Sequence, residues 1–141
     1  MKAERQFIGN STYRSRLVDG HFHTELCPHG SGDRTALMIE KAIELRIEKV
    51  CLTEHAPLPK AFEAEYGGDK IAYDTASLKL NQVDSYLELG RELQRAYGTH
   101  IDISLGFEVD YIPGFEADIQ EFLDRYGPLT DDNILSVHFM E

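Results

Sequence analysis

Four short apolar runs alternate with longer amphipathic ones, starting near residues 17, 49, 101 and 133. Leu17 to Phe22, Lys49 to Thr53, Ile101 to Val109 and Asn133 to Phe139 have the length and β-branched content of strands. Between the first two, Met38, Ile39, Ala42, Ile43 and Leu45 form one helical face, with Asp33 as its expected N-cap. A long loop with Pro57, Pro59 and the Gly67-Gly68 pair then leads to a helix expected over 75–97. Val83, Leu87, Gly90, Leu93 and Tyr97 line one side of it, and Gly98 stands at its C-cap. After a Pro113-Gly114 turn, Phe115, Ile119, Phe122, Leu123 and Tyr126 again follow helical spacing. Strict strand-helix alternation specifies parallel βα units, an α/β fold. A closed eight-stranded barrel of such units takes about 250 residues. The 141 residues here make one domain with about half that complement.

The charge balance narrows what such a unit binds. Acidic residues number 25 and basic ones 14, a net charge of −11 with neutral histidines, and no stretch gathers Lys and Arg into a stripe. A nucleic-acid footprint is therefore not expected, whereas carboxylates are available for cations. No apolar run is long enough to span a membrane, and residues 1–16 lack the apolar stretch of a signal peptide, so a cytoplasmic location is expected. Cys27 and Cys51 form neither a C-x-x-C pair nor a disulfide framework, which agrees with a reducing compartment. Cys51 is expected in the core and Cys27 in loop packing. Phosphate-loop, dinucleotide-loop and nucleophile-elbow motifs are all missing from the sequence.

The histidines are placed unevenly. His21 and His23 end the first strand, Glu54 and His55 the second, Glu108 and Asp110 the third, and His138 the fourth. His29 follows in a Pro/Gly-rich loop. Alone, each has an ordinary reading: a chance H-x-H pair, an exposed loop histidine, a polar strand end, a hydrogen-bonded core histidine. Together they fall on the carboxyl ends of successive parallel strands, the face on which βα folds bind ligands. Residues two apart on a strand share a face, so His21 and His23 can reach one cation, and Glu108 and Asp110 likewise lie on one face of the third strand. Imidazoles with a carboxylate suit Zn²⁺, Mn²⁺ or Fe²⁺ better than Mg²⁺ or Ca²⁺. Clustered cations of that kind point to hydrolysis of a phosphoryl group. His100 lies at the amino end of the third strand, away from this face, and is expected to be structural.

Five segments, Asp19-Gly20-His21-Phe22-His23-Thr24, Cys27-Pro28-His29-Gly30, Thr53 to Pro59, Gly106 to Tyr111 and Ile134 to Phe139, together resemble the polymerase-and-histidinol-phosphatase (PHP) superfamily. Within it they are most similar to the monofunctional histidinol-phosphatase branch. The resemblance runs from about Val18 to the last residue. It implies that residues 17–141 form the first four strands of a distorted (β/α)₇ barrel and that residues 1–16 are an extension. It also implies a trinuclear divalent metal site (Zn, Mn or Fe) hydrolysing L-histidinol phosphate to L-histidinol and phosphate, in histidine biosynthesis. His21 and His23 would bind the first metal, His29 and His55 the second, and His138 the third, with Glu108 bridging the first and third. Family members draw further ligands, and arginines that grip phosphate, from a second half that would follow Glu141. The alternative expectation is accordingly a truncated, catalytically inert metal-binding module that self-associates through exposed edge strands.

Overall fold

The computed structural model describes residues 16–139. The extension expected at residues 1–16 lies, apart from Arg16, outside the described residues. Four strands, β1 (Val18–Phe22), β2 (Lys49–His55), β3 (Asp102–Asp110) and β4 (Ile134–Ser136), form one parallel sheet in the order β1-β2-β3-β4. Helices α1 (Thr35–Glu44), α4 (Val83–Tyr97) and α5 (Glu116–Tyr126) make the crossovers. The result is a curled half-barrel of βα units. Two short helices not expected from the sequence, α2 (Phe62–Glu65) and α3 (Lys70–Asp74), interrupt the long connection from β2 to α4.

Period-2 alternation sorts the side chains of β3. Ile103, Leu105, Phe107 and Val109 join the main core beside Tyr86, Leu87 and Leu93 of α4. The Phe107 ring sits 5.1 Å from both Tyr86 and Phe122, centroid to centroid. The opposite face carries Ser104, Gly106, Glu108 and Asp110, whose small or polar side chains leave the concave side to the chemistry.

Several boundaries differ from the sequence expectation, each for a local reason. Asp33 does not cap α1: its carboxylate takes the Ser31 hydroxyl, and the Thr35 N–H at the helix start donates to Glu25 instead. The expected 75–97 helix begins only at Val83, because Ser77 and Leu78 are buried and the Leu78 N–H is bound to the His55 carbonyl. Gly98, by contrast, is the C-cap of α4 as expected, with φ −62°; a Cβ there would lie 2.5 Å from the Gln94 carbonyl. The fourth strand, expected over 133–139, keeps only Ile134–Ser136. Upstream, Asp131 and Asn133 side chains accept the N–H groups of Leu105 and Phe107, so that edge of β3 is closed by a loop. Downstream, β3 ends at Asp110 and the chain turns at Gly114 (φ 89°), leaving residues 137–139 without a neighbouring strand.

Candidate metal centre

The first ligand pair owes its position to a register slip. Asp19 pairs with Val50 and Phe22 with Leu52, so β1 has one residue more than β2 between these pairs. Bulges of this kind re-aim side chains. The slip falls at Gly20 and His21, and the Phe22 N–H is caught by the Thr53 hydroxyl. His21 and His23 consequently turn toward each other, with their Nε2 atoms 3.0 Å apart.

Both rings face Glu108, which the β2–β3 ladder sets opposite His55. Four imidazole nitrogens lie around its buried carboxylate. Oε2 is 2.8 Å from His21 Nε2, 3.2 Å from His55 Nδ1 and 3.4 Å from His23 Nε2, while Oε1 is 3.5 Å from His138 Nε2. His29 closes the ring, its centroid 5.0 Å from His55 and 6.4 Å from His23. All six residues expected from the sequence therefore meet in one place. His100 is exposed at the other end of β3 and takes no part.

At His55 the electrostatics favour a neutral ring. Burial pushes the His55 imidazole below its ordinary value, against the pull of Glu108. Its Nδ1 is buried and has no hydrogen-bond partner although Glu108 lies 3.2 Å away, since the angles do not fit a bond. An orphaned buried nitrogen is costly unless something absent from the chain satisfies it. A cation between the imidazoles and Glu108 does so, and the N/O donor set suits Zn²⁺, Mn²⁺ or Fe²⁺. The residues present thus fit a divalent metal site.

Glu54 and Asp110 complete the arrangement, and the sequence reading left both out of the ligand set. The Glu54 carboxylate receives His23 Nδ1 at 3.1 Å, the Thr24 N–H at 2.9 Å and the Thr24 hydroxyl at 2.7 Å. Burial drives its pKa upward, but the bonds from His23 and Thr24 outweigh that and hold it below the usual carboxylate value. The same contact with Glu54 raises His23, against the effect of burial. Asp110 Oδ1 receives His138 Nδ1 at 2.7 Å. The available signal was position: Glu54 adjoins His55, and Asp110 is two residues beyond Glu108. Cys27 is buried with its sulfur close to the donor atoms of His23 and Glu54, in the loop position expected, and Cys51 is buried within β2.

Beside the cluster, Phe62, Tyr73, Ile112 and Phe115 form a second apolar group, with Tyr66 and Phe139 packed on it. Phe139 stacks edge-on to Phe62 at 5.0 Å, which anchors the segment carrying His138. A cavity of about 400 Å³ opens between residues 56–60 and α5, with Asp110 in its wall. Among the described residues, no helix is long and apolar enough to cross a membrane.

The chain is similar to several known proteins. A family model described as PHP domain matches residues 19–141. A histidinol-phosphatase from Bacillus subtilis is 41% identical over 122 residues, covering 86% of this chain and 44% of that protein. A crystal structure from Listeria monocytogenes, assigned as a histidinol phosphatase, superposes with a TM-score of 0.86 at 44% identity, covering 88% of this chain and 46% of the other. A Lactococcus lactis histidinol phosphate phosphatase, crystallised with zinc, L-histidinol and phosphate, shares the fold at a TM-score of 0.68 and 24% identity, covering 89% and 41%. The chain spans less than half the length of each of these relatives. The expected fold, the opening half of a PHP-type barrel, is the one observed.

Proposed function

The chain belongs to the PHP domain family, and from that premise we propose that its histidine cluster is part of the polynuclear metal centre of a phosphomonoester hydrolase acting on L-histidinol phosphate. The observation that carries the reading is the convergence of four imidazole nitrogens on the buried Glu108 carboxylate. The names of the relatives and the ligands of the Lactococcus structure support this choice of substrate.

His21 and His23 would hold a first cation, His29 and His55 a second, and His138 a third, with Glu108 shared between the first and third. Its two oxygens face different partners, Oε2 toward the β1 pair and Oε1 toward His138. Zinc, manganese or iron held there would supply Lewis acidity to a phosphoryl oxygen and acidify water near neutral pH. Buried Thr24, Thr53 and Glu54 close the floor behind the ligands. His21 and His138, about half exposed, stand at the open side, where a phosphate monoester reaches the cluster.

The test is phosphate release from L-histidinol phosphate, with metal content measured on the same sample. Turnover with about three metals per chain supports the reading. One or two weakly held metals and no turnover after adding Mn²⁺ or Zn²⁺ would overturn it for this chain.

A second reading, an inert metal-binding module that self-associates, is favoured by one observation. Leu135 and Val137 are 71% and 51% exposed on and just beyond β4, an outer strand, and Val18 is 50% exposed on β1, the other. Exposed apolar strand edges recruit partners. Sedimentation velocity separates the cases: concentration-dependent dimers without phosphatase activity favour the second reading, and an active monomer removes it.

A further inference from the structure

Three imidazoles of the cluster have one ring nitrogen held by a group that can only accept a hydrogen bond. His23 Nδ1 lies 3.1 Å from Glu54 Oε1, His29 Nδ1 lies 2.8 Å from the Thr75 carbonyl, and His138 Nδ1 lies 2.7 Å from Asp110 Oδ1. A neutral imidazole carries one N–H. Opposite a carbonyl or an ionised carboxylate, that hydrogen sits on Nδ1 and Nε2 keeps its lone pair. In His23 and His138 that Nε2 is the atom turned toward Glu108.

Glu54 imposes the strictest condition. Its side chain is 0% exposed. Oε2 accepts from the Thr24 N–H and hydroxyl, and Oε1 accepts from the His55 N–H at 3.2 Å and from His23. The Thr24 hydroxyl oxygen already accepts the Leu26 N–H, so its own hydrogen is directed at Glu54. Four donors thus converge on a group that must offer acceptors only. An amide in its place would set an N–H against an N–H, or force His23 to the other tautomer so that Nδ1 accepts. With its oxygens so occupied, Glu54 serves the centre through His23 and not as a ligand.

We propose that Glu54 is a positioning residue, with the Thr75 carbonyl and Asp110 in the same role, holding His23, His29 and His138 as Nδ1–H tautomers so that their Nε2 lone pairs are set before any cation arrives. The consequence for metal affinity rests on the function proposed above; the tautomers rest on the hydrogen bonds alone. Thr75 ends α3, so the segment between β2 and α4 is tied to the centre through His29. Outer partners of this kind typically contribute a factor of roughly 10–100 in metal affinity.

The test is ring ¹⁵N–¹H correlation NMR on the metal-stripped, ¹⁵N-histidine-labelled 141-residue chain, recorded above the imidazole titration range, with a zinc titration of the same sample. Expected are Nδ1–H patterns for His23, His29 and His138. Glu54→Gln is expected to change His23 and leave His138 as it was, and to weaken zinc binding roughly 10–100-fold. An Nε2–H pattern at His23 in the unsubstituted chain, or an unchanged His23 in a folded Glu54→Gln variant, would overturn the proposal. Should the variant not fold, the pattern in the unsubstituted chain decides alone. A chain with the expected tautomers and no zinc affinity would sustain the positioning inference and overturn the metal reading instead.

Discussion

His55 Nδ1 and Glu108 Oε2 lie 3.2 Å apart on adjacent strands, both buried and directly paired in register, and no hydrogen bond joins them. Ladder hydrogen bonds along β2 and β3 fix the two backbones side by side, which keeps the pair close. A cation between them relieves the mismatch. Adding Zn²⁺ or Mn²⁺ to metal-stripped protein should therefore stabilise the fold, by about 2.7 kcal/mol at a hundredfold excess over Kd. Calorimetry should register a rise in Tm of roughly 5 °C or more, and an unchanged Tm would count against a site here.

Glu108→Gln keeps the size of the side chain while removing the shared carboxylate. Metal content should fall at two positions together and phosphatase activity should vanish, while far-ultraviolet circular dichroism stays native. His100→Gln, at the opposite end of β3, should leave metal content as it was. Equal mild effects from the two substitutions would show that the cluster is assigned to the wrong residues.

Two buried glycines should respond differently to alanine. A Cβ on Gly106 would run into the Asp132 backbone carbonyl, held there by the bonds of Asp131 and Asn133 to β3. A Cβ on Gly90 would meet the end of the Leu105 side chain, which can rotate. Helix propensity also returns up to about 1 kcal/mol at position 90. Urea denaturation should show Gly106→Ala losing about 3 kcal/mol or more and Gly90→Ala under about 1.5 kcal/mol. The reverse order would mean that the 131–133 loop is not packed as described.

The six proposed ligands were legible in the sequence because strands place alternate residues on one face and parallel βα units bring their carboxyl ends together. Gly98 is the C-cap of α4, as its position indicates, whereas Asp33 matches a capping pattern that the chain meets by other means. The late start of α4 was hidden because it depends on Leu78 donating to the His55 carbonyl, a tertiary contact. Glu54 and Asp110 were visible only as acidic neighbours of candidate ligands. Their role emerges from which donors surround them, and the Thr75 carbonyl, being backbone, leaves no mark in residue type.

Tyr86 joins the two central strands from α4. Its hydroxyl donates to the Gly106 carbonyl at 2.6 Å and accepts the Glu54 N–H at 3.3 Å, and burial pushes the phenol far above its ordinary pKa, so it stays protonated. Tyr86→Phe leaves a buried carbonyl short of a partner. The expected loss is about 1–3 kcal/mol, read as a lower urea midpoint at unchanged slope. A variant as stable as the parent would show that the bridge is dispensable.

Anomalous scattering at the zinc edge, from crystals of the chain grown with Zn²⁺, locates any bound metal without recourse to activity. The predicted result is more than one peak among His21, His23, His29, His55, Glu108 and His138, at roughly 2.0–2.2 Å from imidazole nitrogens and carboxylate oxygen. A chain at full zinc occupancy with no peak inside this ring, or with zinc bound only at surface carboxylates, would contradict it.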